Sequence, residues 1–142
     1  MAKGNKNQII ETPRGRIIRV KWQGGRTTCR LLWKKGFAPE RTRQMQTVQA
    51  CVDMAVLRYC QPYIPMRTGM LMRSGDLGTE AGAGVVRYIA PYAHRLYYGK
   101  DFNFDRTAHP NAGPLWFDRM LVDHKGDILR EAAATAGGKA HE

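Results

Sequence analysis

The chain has 142 residues, a formal net charge of +11 and a pI near 10, a length that suits one domain with a single core and needs no disulfide staples. Its apolar runs last only a few residues, which excludes a membrane-spanning helix, and the start MAKGNKNQ lacks the apolar segment of a secretory signal. The basic residues are unevenly spread. Residues 1–43 hold twelve Lys and Arg against Glu11 and Glu40, a local charge of +10, so residues 44–142 carry only +1; that asymmetry points to an electrostatic contact surface in the N-terminal third.

Residues 1–8 read as a flexible polar arm at a terminus. The stretch 9–135 reads as one α+β domain, divided into a basic β-hairpin region over 9–36 and a helix–sheet–helix body over 37–135. Thr12-Pro13-Arg14-Gly15 is a turn signal, after which Ile18, Val20 and Trp22 alternate with Arg19 and Lys21 as in a half-buried strand. Gln23-Gly24-Gly25-Arg26 predicts a tight hairpin, and Thr27 to Trp33 the returning strand. Pro39-Glu40 predicts the start of the longest helix, running to about residue 60, because proline suits a first helical position and an acid suits a first turn. Met45, Val48, Val52, Ala55, Val56 and Tyr59 form its apolar stripe, and Gln61-Pro62 ends it.

In the stretch from Tyr63 to Gly99, Pro65 and Gly69 fix the backbone and Thr68 is placed to cap a short helical turn over Met66 to Ser74. A strand is predicted over 84–90, because Val85, Val86, Tyr88 and Ile89 favour β structure between Gly84 and Pro91. Tyr92 to Tyr98 fits two turns of helix ended by Gly99. Residues 100–113 read as a long interaction or mobile loop, and Phe102 and Phe104 are large apolar groups for a solvated loop. Pro114 predicts a second helix to about 124, with Leu115, Trp116, Met120 and Leu121 inward and Gly126 bending or interrupting it. The alanine-rich tail over 136–142 is expected to fray. The expected core is Val48, Val52, Ala55, Tyr88, Ile89, Leu96, Trp116 and Met120.

The order Pro65, Thr68-Gly69, Leu71, Ser74, a β segment, Ala90-Pro91-Tyr92-Ala93, Tyr97-Tyr98-Gly99 and later Trp116-Phe117 resembles the minor capsid proteins of tailed bacteriophages. More distantly it resembles their tail-completion and head–tail joining, or neck, proteins. The resemblance covers roughly residues 38 to 135 and implies a structural role in the virion, one copy among many in a ring or array, assembled in the host cytoplasm. It implies as partners other copies of the chain and neighbouring neck, connector or tail proteins, with packaged DNA in the channel a further possibility, and no membrane. The hairpin is less clearly part of the shared pattern.

Little in the sequence supports catalysis. His94, His109, His124 and His141 are scattered, with no zinc-like spacing among histidines, cysteines and carboxylates. Ser74-Gly75-Asp76 has no histidine in a nucleophile arrangement, and Gly82-Ala83-Gly84 lacks the lysine and helix of a phosphate loop. Asp101 and Asp105 read as an ordinary acidic turn. Cys29, Cys51 and Cys60 read as reduced, small buried or half-buried hydrophobes. No catalytic residue, metal or cofactor is expected. The expected contacts are Arg19, Lys21, Arg26, Arg30 and Trp22 with an acidic partner protein or DNA, and Tyr98, Phe102 and Phe104 with a neighbouring copy. The alternative to a virion component is a small basic nucleic-acid-binding protein, since the same cations supply phosphate affinity and Trp22 and Trp33 supply stacking faces.

Overall fold

The computed structural model describes residues 9–138; the predicted arm over 1–8 and the last four residues of the tail lie outside them. The chain is α+β. A two-stranded antiparallel sheet, β1 (Ile17–Trp22) and β2 (Gly25–Arg30), precedes the helices α1 (Phe37–Cys60), α2 (Met70–Gly78), α3 (Ala93–Tyr98) and α4 (Trp116–Thr135), with one 3₁₀ turn at Gln61–Tyr63. The helices do not lie across a sheet as the sequence led us to expect. The two long ones, α1 and α4, pack on each other, and the hairpin stands apart with every strand residue exposed.

The core forms where the apolar stripe of α1 meets the inner face of α4. Ala55, Val56, Cys60, Tyr63, Ile64, Leu71, Ala93, Trp116, Met120 and Ile128 are buried in one cluster, with Val52, Tyr88 and Leu96 packed against it. Of the expected core residues, Val48 is only half-buried and Ile89 is 54% exposed. The two helices are clasped at the rim: Arg58 donates to both oxygens of Glu131 at 2.6 and 2.7 Å, and the Tyr59 hydroxyl donates to the same carboxylate at 2.8 Å.

Four boundaries differ from the sequence expectation, each for a local reason. α1 begins at Phe37, two residues before Pro39, because Gly36 in a left-handed conformation turns the chain and the Glu40 amide reaches its carbonyl at 3.1 Å. α2 follows Gly69, and no side chain caps it, so Thr68 does not perform the expected capping. α4 opens at Trp116 rather than Pro114, after Leu115 in the left-handed region, and it runs through Gly126 without a break. At its end residues 136–138 close rather than splay: the Gly138 amide reaches the Ala133 carbonyl at 2.8 Å and Gly137 takes a left-handed conformation. Gln44 of α1 also donates to the Ala136 carbonyl at 2.8 Å.

The predicted strand over 84–90 is extended chain that pairs with no strand among the described residues. Its neighbour is α2, whose Gly75 and Gly78 lie one turn apart and let the backbone come close. A Cβ on Gly75 would stand 2.6 Å from the Tyr88 ring, and one on Gly78 would stand 2.4 Å from the Arg87 carbonyl oxygen. The segment's polar groups bond to that helix instead of to a ladder. The Arg87 amide donates to the Thr79 hydroxyl at 3.0 Å, and the Ile89 amide to the Ser74 carbonyl at 3.4 Å. Upstream, the buried carboxylate of Asp53 accepts from the amides of Gly82 and Gly84 at 2.9 and 3.0 Å and from the Gln49 side chain at 2.8 Å. Both glycines have positive φ, a conformation that would strain any residue with a Cβ. Asp53 therefore ties the turn that launches the extended segment to the middle of α1.

Candidate functional site

The hairpin register determines what each of its faces offers. Arg19 pairs with Thr28, Lys21 with Arg26 and Ile17 with Arg30, while Ile18 pairs with Cys29, Val20 with Thr27 and Trp22 with Gly25. Residues directly opposite share a face, and successive residues along a strand point to opposite faces. Arg19, Lys21, Arg26 and Arg30 therefore all lie on one face, and Ile18, Val20, Trp22 and Cys29 on the other. Four of the five contact residues expected from the sequence come together; Trp22 is separated from them by the thickness of the sheet. The apolar face is uncovered, with Ile18 49%, Val20 51% and Trp22 57% exposed. Trp22 sits at the tip over the Gln23–Gly24 turn, where a Cβ on Gly24 would come within 2.9 Å of the indole nitrogen.

Cys29 is exposed on that apolar face, against the expectation of a buried or half-buried thiol, because the hairpin does not pack on the body. Cys51 is half-buried and Cys60 is buried. Trp33, beyond the sheet, tilts against Phe37 at the start of α1 with ring centroids 5.4 Å apart.

The three residues expected at an inter-subunit contact are also divided, by α3. Phe102 and Phe104 fold back beside Tyr92 and Leu96 of this chain, edge to face with each other at 6.3 Å, and the Arg95 guanidinium lies 5.4 Å from the Phe102 ring. They therefore partly fill a shallow groove of their own chain. Tyr98 is 59% exposed, against Tyr97 and His94, and it lines a different groove. The loop holding the phenylalanines is anchored at its far end: the His109 ring nitrogen Nδ1 lies 2.8 Å from the Ile64 carbonyl oxygen, and the Gly113 amide donates to Tyr63.

The groove beside Tyr98, of about 530 Å³, is the feature that sequence reading missed. Its floor is Val56, Ala93 and Trp116 and its walls are Val86, Tyr88, Tyr97 and Phe117. Tyr88 and Tyr97 both stand edge-on to Trp116, with centroids 5.7 and 4.7 Å away. Burial, and secondarily the hydrogen bond given to Asp118 at 3.0 Å, pushes the Tyr97 hydroxyl up to about 12. Burial likewise pushes the Cys60 thiol up to about 12 and raises the Tyr88 phenol above its ordinary range. These groups stay neutral in neutral water, and the two tyrosines give the groove an aromatic wall. The dense run of tyrosines was visible in the sequence; its convergence on Trp116 depends on how α3 and α4 cross. Among the described residues no cluster of three or more His, Cys, Asp or Glu has the proximity of a metal site, and no helix is long and apolar enough to cross a membrane.

Residues 38–136 match the family model described as minor capsid protein. The chain belongs to that family. The match spans the entire helical body, including both aromatic grooves, and begins after the hairpin. No curated protein and no solved structure gives a significant match. For a minor capsid protein, a component of the phage virion, the surfaces that matter are those facing other virion proteins, and the hairpin and the Tyr88–Tyr97–Trp116 groove are candidates of that kind.

Proposed function

We propose that this minor capsid protein works at the neck of a tailed-phage particle as a head–tail joining or tail-completion component, one copy among many in a ring, and carries out no catalytic step. The observation behind the reading is the hairpin: a basic ribbon, exposed along its whole length, with Arg19, Lys21, Arg26 and Arg30 on one face. That face suits an acidic rim on an adjoining protein ring. Lys21 and Arg26 stand directly opposite each other, an arrangement that like charges disfavour unless a partner supplies negative charge. Such a contact weakens with salt as the Debye length falls from about 10 Å at 0.1 M toward 3 Å at 1 M.

The test is replacement of all four cations by serine in the full chain. All four side chains are exposed, so the fold should be unaffected. Electron microscopy of assembled particles should then show necks that lack the protein or heads that fail to hold tails; normal necks in the variant would refute the docking role. A second reading, contact with packaged DNA, is favoured by the absence of aromatic groups from the cationic face, which leaves a charged surface without a hook to impede sliding DNA. It predicts duplex binding that is independent of sequence and falls steeply between about 50 and 200 mM salt, and fluorescence anisotropy with a labelled duplex tests it.

A further inference from the structure

We propose that the extended segment 84–90 carries a backbone docking edge that takes one β-strand from a different virion protein, with a carboxylate of that strand set beside Arg87. Within the chain the segment uses only one of its two edges. The Arg87 amide donates to the Thr79 hydroxyl at 3.0 Å and the Ile89 amide to the Ser74 carbonyl at 3.4 Å, so these residues turn their backbone groups toward α2. In extended chain the N–H and C=O of one residue point to the same side, and those of the next residue to the opposite side. Val86 and Tyr88 therefore present theirs along the other edge. Neither the amide nor the carbonyl of either residue has a hydrogen-bond partner among the described residues. Open space lies beside that edge, because Gly84, Val86 and Tyr88 border a cleft of about 530 Å³, and an added strand sits only about 4.8 Å away. An unpaired edge of this kind is a template for strand addition, in which main-chain bonds supply the affinity. The segment is also held ready for it: Asp53 fixes Gly82 and Gly84 at its start, Pro91 follows its end, and Val86, Tyr88 and Ala90 pack against the core. Little ordering is left for this side of the contact to lose.

The side chains that alternate with the packed ones decide what kind of strand fits. Val85 and Ile89 are each 54% exposed, and Arg87 between them is exposed with no carboxylate paired to it among the described residues. An antiparallel strand that exchanges both bonds with Val86 and with Tyr88 places one of its own residues directly opposite Arg87, at the non-hydrogen-bonded position where side chains come closest. An acidic residue there is attracted and a basic one repelled. Apolar residues at the next positions on the same face cover Val85 and Ile89. The same geometry selects against this chain's own extended pieces. Two copies of segment 84–90 paired about their centre would set Arg87 against Arg87, and the hairpin strands IIRVKW and GRTTCR each hold two basic residues and no acidic one. The strand that fits reads apolar, acidic, apolar at alternate positions and comes from another protein. This edge and the hairpin's cations are separate surfaces, so the two assignments are tested separately.

Amide hydrogen exchange read at single residues tests the edge without any substitution. In the free full chain Arg87 and Ile89 should exchange slowly and Val86 and Tyr88 fast, and in assembled particles Val86 and Tyr88 should slow by at least about tenfold. The photocrosslinker p-benzoylphenylalanine at exposed position 85 then identifies the neighbour. Irradiated particles should yield links, mapped by mass spectrometry, from residue 85 to an alternating stretch of another virion protein that holds Asp or Glu. R87E should lower that yield by at least about tenfold, because like charges placed together across a contact are strongly disfavoured, while R87K keeps it and both purified variants melt with the parent. Replacing the partner's carboxylate by lysine should restore the yield in R87E. Val86 and Tyr88 exchanging equally fast in the free chain and in particles would overturn the proposal. So would links to a second copy of this chain, links to a stretch with no acidic residue, or an R87E yield equal to the parent's.

Discussion

Replacing Asp53 by alanine tests whether the glycine turn is held from α1. The carboxylate accepts two backbone amides and one side-chain amide, and hydrogen bonds to a charged acceptor contribute about 1.5–3 kcal/mol each when buried. Gly82 is half-buried and Gly84 exposed, so both amides recover water once the carboxylate is gone, and Gln49 is free to turn outward. The low end of the range therefore applies to the two backbone bonds, and D53A should lose about 3 kcal/mol. D53N should lose only about 1 kcal/mol, because an amide oxygen still faces the two glycines and Gln49 can present its own oxygen to the new NH₂. Urea denaturation at neutral pH measures both, since a single domain of this size unfolds in one step. Amide exchange should also accelerate at Gly82 and Gly84 in D53A. A D53A protein within about 0.5 kcal/mol of the parent, the range of ordinary surface substitutions, would show that the turn holds itself and that Asp53 is not its anchor.

Truncating Trp116, 1% exposed between Tyr88 and Tyr97, to alanine should cost roughly 3–5 kcal/mol and drive much of the chain out of its folded state; near-parental urea stability would contradict its central place. At about pH 8, thiol-reactive probes should modify exposed Cys29 first and reach Cys60, buried and pushed up to about 12, only on unfolding; fast labelling of Cys60 in the native protein would count against that burial. Glu131 is held below the usual carboxylate range, first by Arg58 and then by Tyr59. Its contribution is therefore complete above the unfolded value near 4.3 and is lost as pH falls through the folded one. The stability gap between the parent and E131Q should narrow from about pH 6 to pH 3, and a constant gap would remove the charge from the account.

The parts of the fold that follow from local chemistry were legible in the sequence. The hairpin announces itself by alternation and paired glycines, α1 by its stripe and by Gln61-Pro62, and α3 by its tyrosines and Gly99. The extended segment after Gly84 was misread because Val85, Val86, Tyr88 and Ile89 carry β preference whether their partner is a strand or a helix. The signal that separates the cases is in α2, where Gly75 and Gly78 lie three residues apart and open a smooth face for a passing backbone. Asp53 is not one of the residues of the apolar stripe, yet it is 3% exposed. Nothing in its own neighbourhood of sequence reports glycines about thirty positions later. The groove shares that difficulty, since Val56, Tyr88, Tyr97 and Trp116 converge only through tertiary packing.

The hairpin carries its own argument for being completed by other molecules. A two-stranded ribbon is at best marginally stable in water when nothing covers either face, and here both faces are open. On one of them Lys21 and Arg26 are directly opposed, a placement that like charges disfavour. On the other, Ile18, Val20 and Trp22 remain half exposed. In the helical body the stripe of α1, the glycine turn and the Arg58–Glu131 rim find their partners within the chain. A carboxylate-bearing surface against the first face turns the repulsion into attraction, and an apolar surface against the second removes the apolar side chains from water. The two needs differ in chemistry and point in opposite directions, so the ribbon is best satisfied when held between two partners.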